Sequence, residues 1–293
     1  MRRRSLLVTL LIVTALPGSL TSRGGLLNGA AAAGHDLTLA EQVFRATLAD
    51  RHAAVIEAES AGFADRMAAV YLGDGSGADW REQVARIHDA GRVAALLLGA
   101  LEWRLAENPA LAQRMRNYLG ATGVANGTDG MGLEMAARLQ LTRPAVLAAA
   151  ARRMQQDDAD GGAALAAIRR MIAQNDPVSA RLAAQLNREL SFARGYSAAG
   201  GFDFPTEPDD VAADLSLQLP EHVAQISAET ELALYTAFAP LGAQAIERIA
   251  AARATPQSRA FRAVLDLAEA DVLDQLAAES GRAAARRDKG SPL

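Results

Sequence analysis

Three amphipathic stripes separated by two short breaks fill the last quarter of the chain and limit what it can fold into. Val223, Ile226, Thr230, Leu234, Phe238 and Leu241 recur at spacings of three and four residues, Ile246 and Ile249 continue the rhythm, and Phe261, Val264, Leu265, Ala268, Val272 and Leu276 repeat it. Such spacing lays one apolar stripe along an α-helix. The breaks are Pro240-Leu241-Gly242 and Thr255-Pro256, where Thr255 is placed to cap a helix that has proline in its first turn. Helices joined by turns this short lie antiparallel and share their apolar faces. The stretch therefore reads as a packing unit, with Leu234, Phe238 and Leu241 expected to face Ile246, Ile249 and Phe261, and not as a reaction centre.

The same pattern extends upstream. Half of the 293 residues are hydrophobic but only 4% are aromatic, a balance that favours helices over strands. The expected fold is an all-α multi-helix bundle of antiparallel helical hairpins. Thr38 and Glu41 form a capping box opening a helix to about Ala61, and Asp79 with Glu82 offers a second box into a helix through His88. The run "VAALLLGALEWRL" is apolar on most faces, as in a helix at the middle of a bundle, and stops at Asn108-Pro109. Gly120 to Gly132, with its Asn126-Gly127 and Asp129-Gly130 turn pairs, divides an N-terminal helical region (36–119) from a C-terminal one (133–281) that contains the striped unit at about 220–281. Further helix starts fall at Thr142-Arg143-Pro144, at Gly162 and at Asp176-Pro177. Val178, Leu182, Leu186 and Leu190 recur every fourth residue and are expected to be buried. Residues 282–293 read as a basic, disordered tail.

The first residues have the order of an export signal: Arg2, Arg3 and Arg4, an apolar run from Leu6 to Leu16, the breakers Pro17 and Gly18, then Ala31-Ala32-Ala33. The run is short for a bilayer span, which needs roughly 20 apolar residues. Residues 1–33 are read as a signal peptide cut after Ala33, giving a periplasmic protein with no stable membrane span after cleavage. Arg3-Arg4-Ser5-Leu6-Leu7 fits twin-arginine export, and an ordinary basic start fits as well. Cleavage removes Arg2, Arg3, Arg4 and Arg23 with no acidic residue, taking the formal net charge from −4 to −8. An acidic chain speaks against general nucleic-acid or anionic-membrane binding. With no cysteine, disulfides, thiolate metal sites and a cysteine nucleophile are excluded together.

The stretch "ALYTAFAPLGAQAIERIAAARATPQSRAF" (Ala233 to Phe261) resembles the signature helices of the domain of unknown function 2059 family, which are secreted bacterial helical proteins. Tyr235, Phe238, Pro240, Leu241, Ile246, Ile249, Pro256 and Phe261 carry the likeness, and "IAQNDPVSARLAAQLNRELSFARGY" and "DWREQVARIHD" look like flanking segments of its longer members. Ala250, Ser258 and Ala245 depart from the pattern. "ALAQRMRNYLGATG", with Pro109 and Tyr118, is similar to a decayed earlier copy of the unit within residues 84–123. The resemblance implies a fold and a compartment, and no activity.

A search for chemistry finds no catalytic, cofactor-binding or metal-binding set. His35, His52, His88 and His222 stand singly, without the paired spacing that puts two ligands on one helix face; His88 and His222 are read as solvated or capping. Asp157 to Gly162 has Ala167 where a calcium loop aligned on Gly161 needs glutamate, so it is read as a helix terminus and turn. Gly73 to Gly77 lacks the frame of a nucleophile elbow or phosphate loop. Glu59-Ser60 has the order used by helical cell-wall lytic enzymes, without their downstream motif, and Glu59 is read as the exposed end of the first helix. Asn187, Arg188, Glu189 and Arg194, near Phe192 and Tyr196, either line a polar groove for a peptide or glycan, or Asn187 satisfies a buried backbone group while Arg188 and Glu189 flank an apolar row toward solvent. The expectation is a cofactor-free envelope protein that binds or scaffolds, with another envelope protein as partner and its oligomeric state open. The alternatives are a cell-wall hydrolase and an apolar-ligand carrier.

Overall fold

The computed structural model describes residues 37–72, 77–122, 130–202 and 208–288. Among them it has thirteen α-helices, one 3-10 turn and no strand, so the all-α reading holds. The leader, Gly73 to Ser76 and most of the Gly120–Gly132 segment lie outside the described residues.

α1 (Leu39–Ala46) opens on the expected capping box: Glu41 N–H donates to Thr38 Oγ1 at 3.2 Å and Thr38 N–H to Glu41 Oε2 at 2.7 Å. The helix does not continue to Ala61, because Leu48 takes φ 53° and turns the chain into α2 (Ala49–Tyr71). In α3 (Gly77–Ile87) Asp79 lies inside the first turn, and Glu82 pairs with Arg86 at 2.7 Å instead of capping. α4 (Ala90–Glu107) is capped by Asp89, which accepts from Arg92 N–H at 2.9 Å. It buries one stripe, Val93, Leu97, Leu101 and Leu105, and leaves Trp103 54% exposed, so it is a one-sided helix and not one enclosed on all faces.

α5 (Pro109–Thr122), α6 (Met131–Leu141), α7 (Pro144–Ala159), α8 (Ala163–Asn175) and α9 (Pro177–Ala198) follow, the last three starting where the proline, glycine and aspartate signals put them. Asp176 accepts from Ser179 N–H at 3.3 Å to cap α9. Val178, Leu182, Leu186 and Leu190 are only half-buried; α9 instead buries Ser191, Phe192, Ala193, Gly195 and Tyr196. Its deep contact is made by small residues and aromatics, which a search for leucine periodicity passes over.

α10 (Pro208–Leu217) and α11 (Leu219–Phe238) lead into the 3-10 turn Ala239–Leu241, α12 (Ala243–Arg253) and α13 (Pro256–Asp288). Ile226, Thr230, Leu234 and Phe238 are buried as expected, but Val223 and Leu241 are 38% and 43% exposed. A 3-10 turn advances about three residues per turn, not 3.6, and this carries Leu241 off the stripe. Phe238 and Leu234 pack with Ile246, Ile249 and α8 residues Leu165, Ile168 and Met171. Phe261 belongs to another cluster, where it stacks on Tyr118 with ring centroids 4.5 Å apart. Pro256 heads α13 with Ser258 N–H donating to Thr255 Oγ1 at 3.2 Å.

Residues 282–288 are not a disordered tail. They continue α13, and Ala283, Ala284 and Ala285 are buried beside Phe63, Trp80 and Tyr196. The reason is a close approach of α9 and α13: a Cβ on Gly195 would fall on the Ala278 carbonyl, and one on Gly281 on the Phe192 carbonyl. With glycine at both points the two backbones meet, and the end of α13 is held against the body. Both anticipated helical regions contribute to one core, in which Ala53, Ile56, Val93 and Leu97 pack with Met131, Met135, Leu265 and Leu276. Six aromatic residues gather around the α9–α13 approach: Phe63, Tyr71, Trp80, Phe192, Tyr196 and Phe202. Trp80 Nε1–H there donates to the Ala64 carbonyl at 2.8 Å.

One urea-denaturation series tests these contacts. Phe238→Ala, at a fully buried side chain, is expected to cost about 3–5 kcal/mol through the cavity it leaves. Gly281→Ala is expected to cost about 1–3 kcal/mol or more by forcing α9 and α13 apart, and Glu247→Ala about 0.5 kcal/mol or less, because its side chain is 57% exposed. Equal stability of all three proteins would contradict the packing described.

Candidate functional site

Five helices direct charged side chains into one region between them. On α2, His52, Ile56, Glu59 and Phe63 follow each other at three- and four-residue spacing with Ser60 beside Glu59, so polar and apolar groups share one inward face. Glu134 and Arg138 lie one turn apart on α6, Arg181 and Arg188 two turns apart on α9, and Arg262 and Glu269 two turns apart on α13. Arg253 enters from the end of α12.

The groups are largely engaged with one another. Glu59 accepts two bonds from Arg138, 3.0 Å from Nε and 2.8 Å from Nη2. Arg253, 7% exposed, donates to Glu134 Oε2 at 2.9 Å and lies 5.0 Å from the Phe238 ring centroid. Arg262 Nη2 is 3.8 Å from the same glutamate oxygen. His52 Nδ1 stands 3.3 Å from Glu269 Oε2. Burial raises the Glu59 carboxyl, but Arg138, by charge and hydrogen bond, together with Arg181 and Arg188, brings it below its ordinary value. Burial likewise opposes ionisation of Glu134, which Arg253 and Arg262 bring down to about 2. Glu269 is brought to about 2 against burial by His52, Arg138 and Arg188.

A cavity of about 10 Å³ lies at the centre, lined by Glu59, Ser60, His88, Arg138, Arg188 and Glu269 with apolar walls from Ile56, Phe63 and Leu273. That is room for roughly one water molecule. The Arg188 guanidinium lies 5.9 Å from the Phe63 ring centroid, and its buried Nε–H has no hydrogen-bond partner in the protein. Burial lowers the Arg188 pKa. His88 is 2% exposed. Its Nδ1 lies 2.9 Å from the Val84 carbonyl, which can only accept, so Nδ1 carries the proton and Nε2 the lone pair. Burial, with the Arg188 and Arg92 charges, pushes this imidazole down to about 4, against the opposing bond to Val84.

Glu59 is not at an exposed helix end: α2 runs on to Tyr71, and the Glu59 side chain, 35% exposed, is held by Arg138. His88 is buried and not solvated, and its ring bonds the Val84 carbonyl at the end of α3 as a capping side chain does; His222 is neither solvated nor capping. His222 has a side chain only 14% exposed, with Nδ1 3.2 Å from Gln185 Nε2 and Nε2 3.8 Å from Glu189 Oε2. Arg188 and Glu189 do not flank an apolar row toward solvent, since Arg188 lines the cavity and the Glu189 side chain is 12% exposed; Asn187 and Arg194 do face outward. Asp157 to Ala159 close α7, and Asp160 to Gly162 turn the chain into α8. Among the described residues no group of three His, Asp or Glu side chains is placed to hold a metal ion.

The periodicity search missed Glu134, Arg138, Glu269 and Arg262. Glu269 had a signal: it falls four residues after Leu265 and three before Val272, inside the buried stripe. Chemically, the region holds carboxylates ionised and guanidiniums close by. A Glu59 with both oxygens on Arg138 has no proton to give to a leaving group.

Two measurements probe the network. At pH above 6.5 His88 is neutral in both folded and unfolded chains, and its contribution is complete. As pH falls toward about 4, the unfolded chain takes up a proton that the native site refuses, so stability should fall by about 3 kcal/mol. His88→Phe should flatten this slope between pH 6.5 and 5, and an unchanged slope would contradict the buried neutral imidazole. In a double-mutant cycle at neutral pH, Arg138→Met should cost about 3 kcal/mol by stranding the Glu59 carboxylate, and adding Glu59→Met should restore most of it.

Comparison of the chain with family models, with curated proteins and with solved structures gives no match.

Proposed function

We propose that this chain is an exported protein of the cell envelope, built of antiparallel helical hairpins, that acts by binding or scaffolding and not by catalysis. The observation that carries this reading is the ion-paired interior. Glu59 and Glu134 are bonded to Arg138 and Arg253, Glu269 lies 3.3 Å from His52, and the cavity among these groups is about 10 Å³. Ligand pockets are commonly about 300–1,000 Å³, so neither a sugar ring nor an acyl chain fits there. The engaged Glu59 counts against a hydrolase using that acid.

The basic, apolar and alanine-rich order of residues 1–33 supports export to the periplasm. The likeness of Ala233 to Phe261 to the domain of unknown function 2059 family supports the same compartment. No helix among the described residues is long and apolar enough to cross a membrane.

N-terminal sequencing of the periplasmic fraction, combined with crosslinking in intact cells, tests the proposal. The expected result is a chain beginning at Gly34 that crosslinks to a defined envelope protein. A chain that keeps Met1 and stays with the membrane, or turnover of cell-wall fragments by the purified protein, would overturn it.

A further inference from the structure

The outer side of α10 and the first turns of α11 carries an apolar strip in an acidic setting. Leu217 is 80% exposed, and Leu219 and Val223 are each 38% exposed. α10 rests on α9 with Val211 and Leu215 half-buried, yet none of residues 210–217 is fully buried. Single exposed leucines are ordinary; here three large apolar side chains are exposed within seven residues, Leu219 and Val223 one turn apart on α11 and Leu217 at the end of α10. Between Arg194 and Arg248 the chain has nine Asp and Glu residues and no Lys or Arg. Asp214 and Glu221 are exposed within the strip itself. Within that span Glu231 and Glu247 pair with Arg169 and Arg170 of α8; elsewhere the surface mixes its signs, as in Arg81–Asp65 and Arg86–Glu82.

We propose that this strip docks a cationic amphipathic segment of a partner protein, its apolar side on Leu217, Leu219 and Val223 and its Arg or Lys residues toward Asp214 and Glu221. Charge complementarity selects this occupant. A second copy of the chain is disfavoured because a two-fold contact sets a patch against itself, bringing Asp214 and Glu221 against their own like charges. An anionic lipid surface is disfavoured because it attracts basic segments and repels acidic ones. The proposal rests on reading the protein as a binder and is independent of its compartment.

The probe is a synthetic helical peptide of Leu and Arg with its arginines on one side, titrated calorimetrically into the full chain beside a scrambled peptide of the same composition. The amphipathic peptide should bind, and hydrogen exchange should slow across residues 210–223. Leu217→Glu and Leu217→Ser should each weaken binding about tenfold or more with unchanged melting, as 80% exposure at that position requires. Asp214→Asn with Glu221→Gln should weaken it and remove most of the loss seen on raising salt to about 0.5 M. Equal binding of the scrambled peptide, no response to the variants, attachment to anionic vesicles, or a dimer abolished by Leu217→Glu would each overturn the proposal. An envelope partner crosslinked at another surface would still leave the binding function standing.

Discussion

The close approach of α9 and α13 is the contact on which the rest of the structure depends. Gly195 lies against the Ala278 carbonyl and Gly281 against the Phe192 carbonyl, and the residues around them, Ser191, Ala277 and Ala284, are small and buried. Backbones that meet this closely exchange side-chain volume for dispersion contacts along both chains. Because α13 is fixed there, its 33 residues can serve three parts of the core. Phe261, Val264 and Ala268 pack with α1, α4 and α5; Leu265, Val272 and Leu276 with α2 and α6; and Ala283 to Ala285 among the aromatic residues. The same approach brings Arg188 and Glu269 to one cavity.

Ion pairs then fix the register that apolar packing leaves loose. A stripe repeating every three or four residues still finds apolar neighbours after slipping by one turn, whereas a charge does not find its partner. α13 presents Glu269 to His52, Asp271 to Arg104 and Glu279 to Arg92, while α6 presents Arg138 to Glu59 and Glu134 to Arg253. A one-turn slip would strand several of these charges at once. Buried pairs add little net stability over apolar replacements, yet breaking one costs about 3–5 kcal/mol. Their effect here is to penalise wrong packings of an alanine- and leucine-rich chain.

Interior and exterior charges therefore differ in what they are available for. Inside, Glu59, Glu134 and Glu269 are held ionised by neighbouring groups, and Glu59, with both oxygens on Arg138, has little capacity for proton transfer. Outside, Asp214 and Glu221 are exposed in a span, Arg194 to Arg248, whose sequence holds no basic residue and whose Glu231 and Glu247 pair with Arg169 and Arg170 of α8.

Helix identity was legible because it depends on neighbours in sequence. The Thr38 and Asp176 caps, the Pro144 and Pro256 starts and the stripe from Phe261 to Leu276 are local, and the structure reproduces each. The polar region was not legible as a site, because Glu59 and Arg138 are 79 residues apart and His52 and Glu269 more than 200; only Glu269, placed in line with Leu265 and Val272, betrayed its burial. Leu241 failed because a 3-10 turn changes the angular step, and the tail after Gly281 failed because burial of small residues leaves no hydrophobic period to read. By itself the sequence determined an all-helical chain, its capping residues and most of its apolar faces, since these follow from backbone propensity and spacing over a few turns. Which helices meet, which charges pair and which leucines stay exposed was decided only by tertiary structure, because those outcomes depend on contacts between residues that the sequence holds far apart.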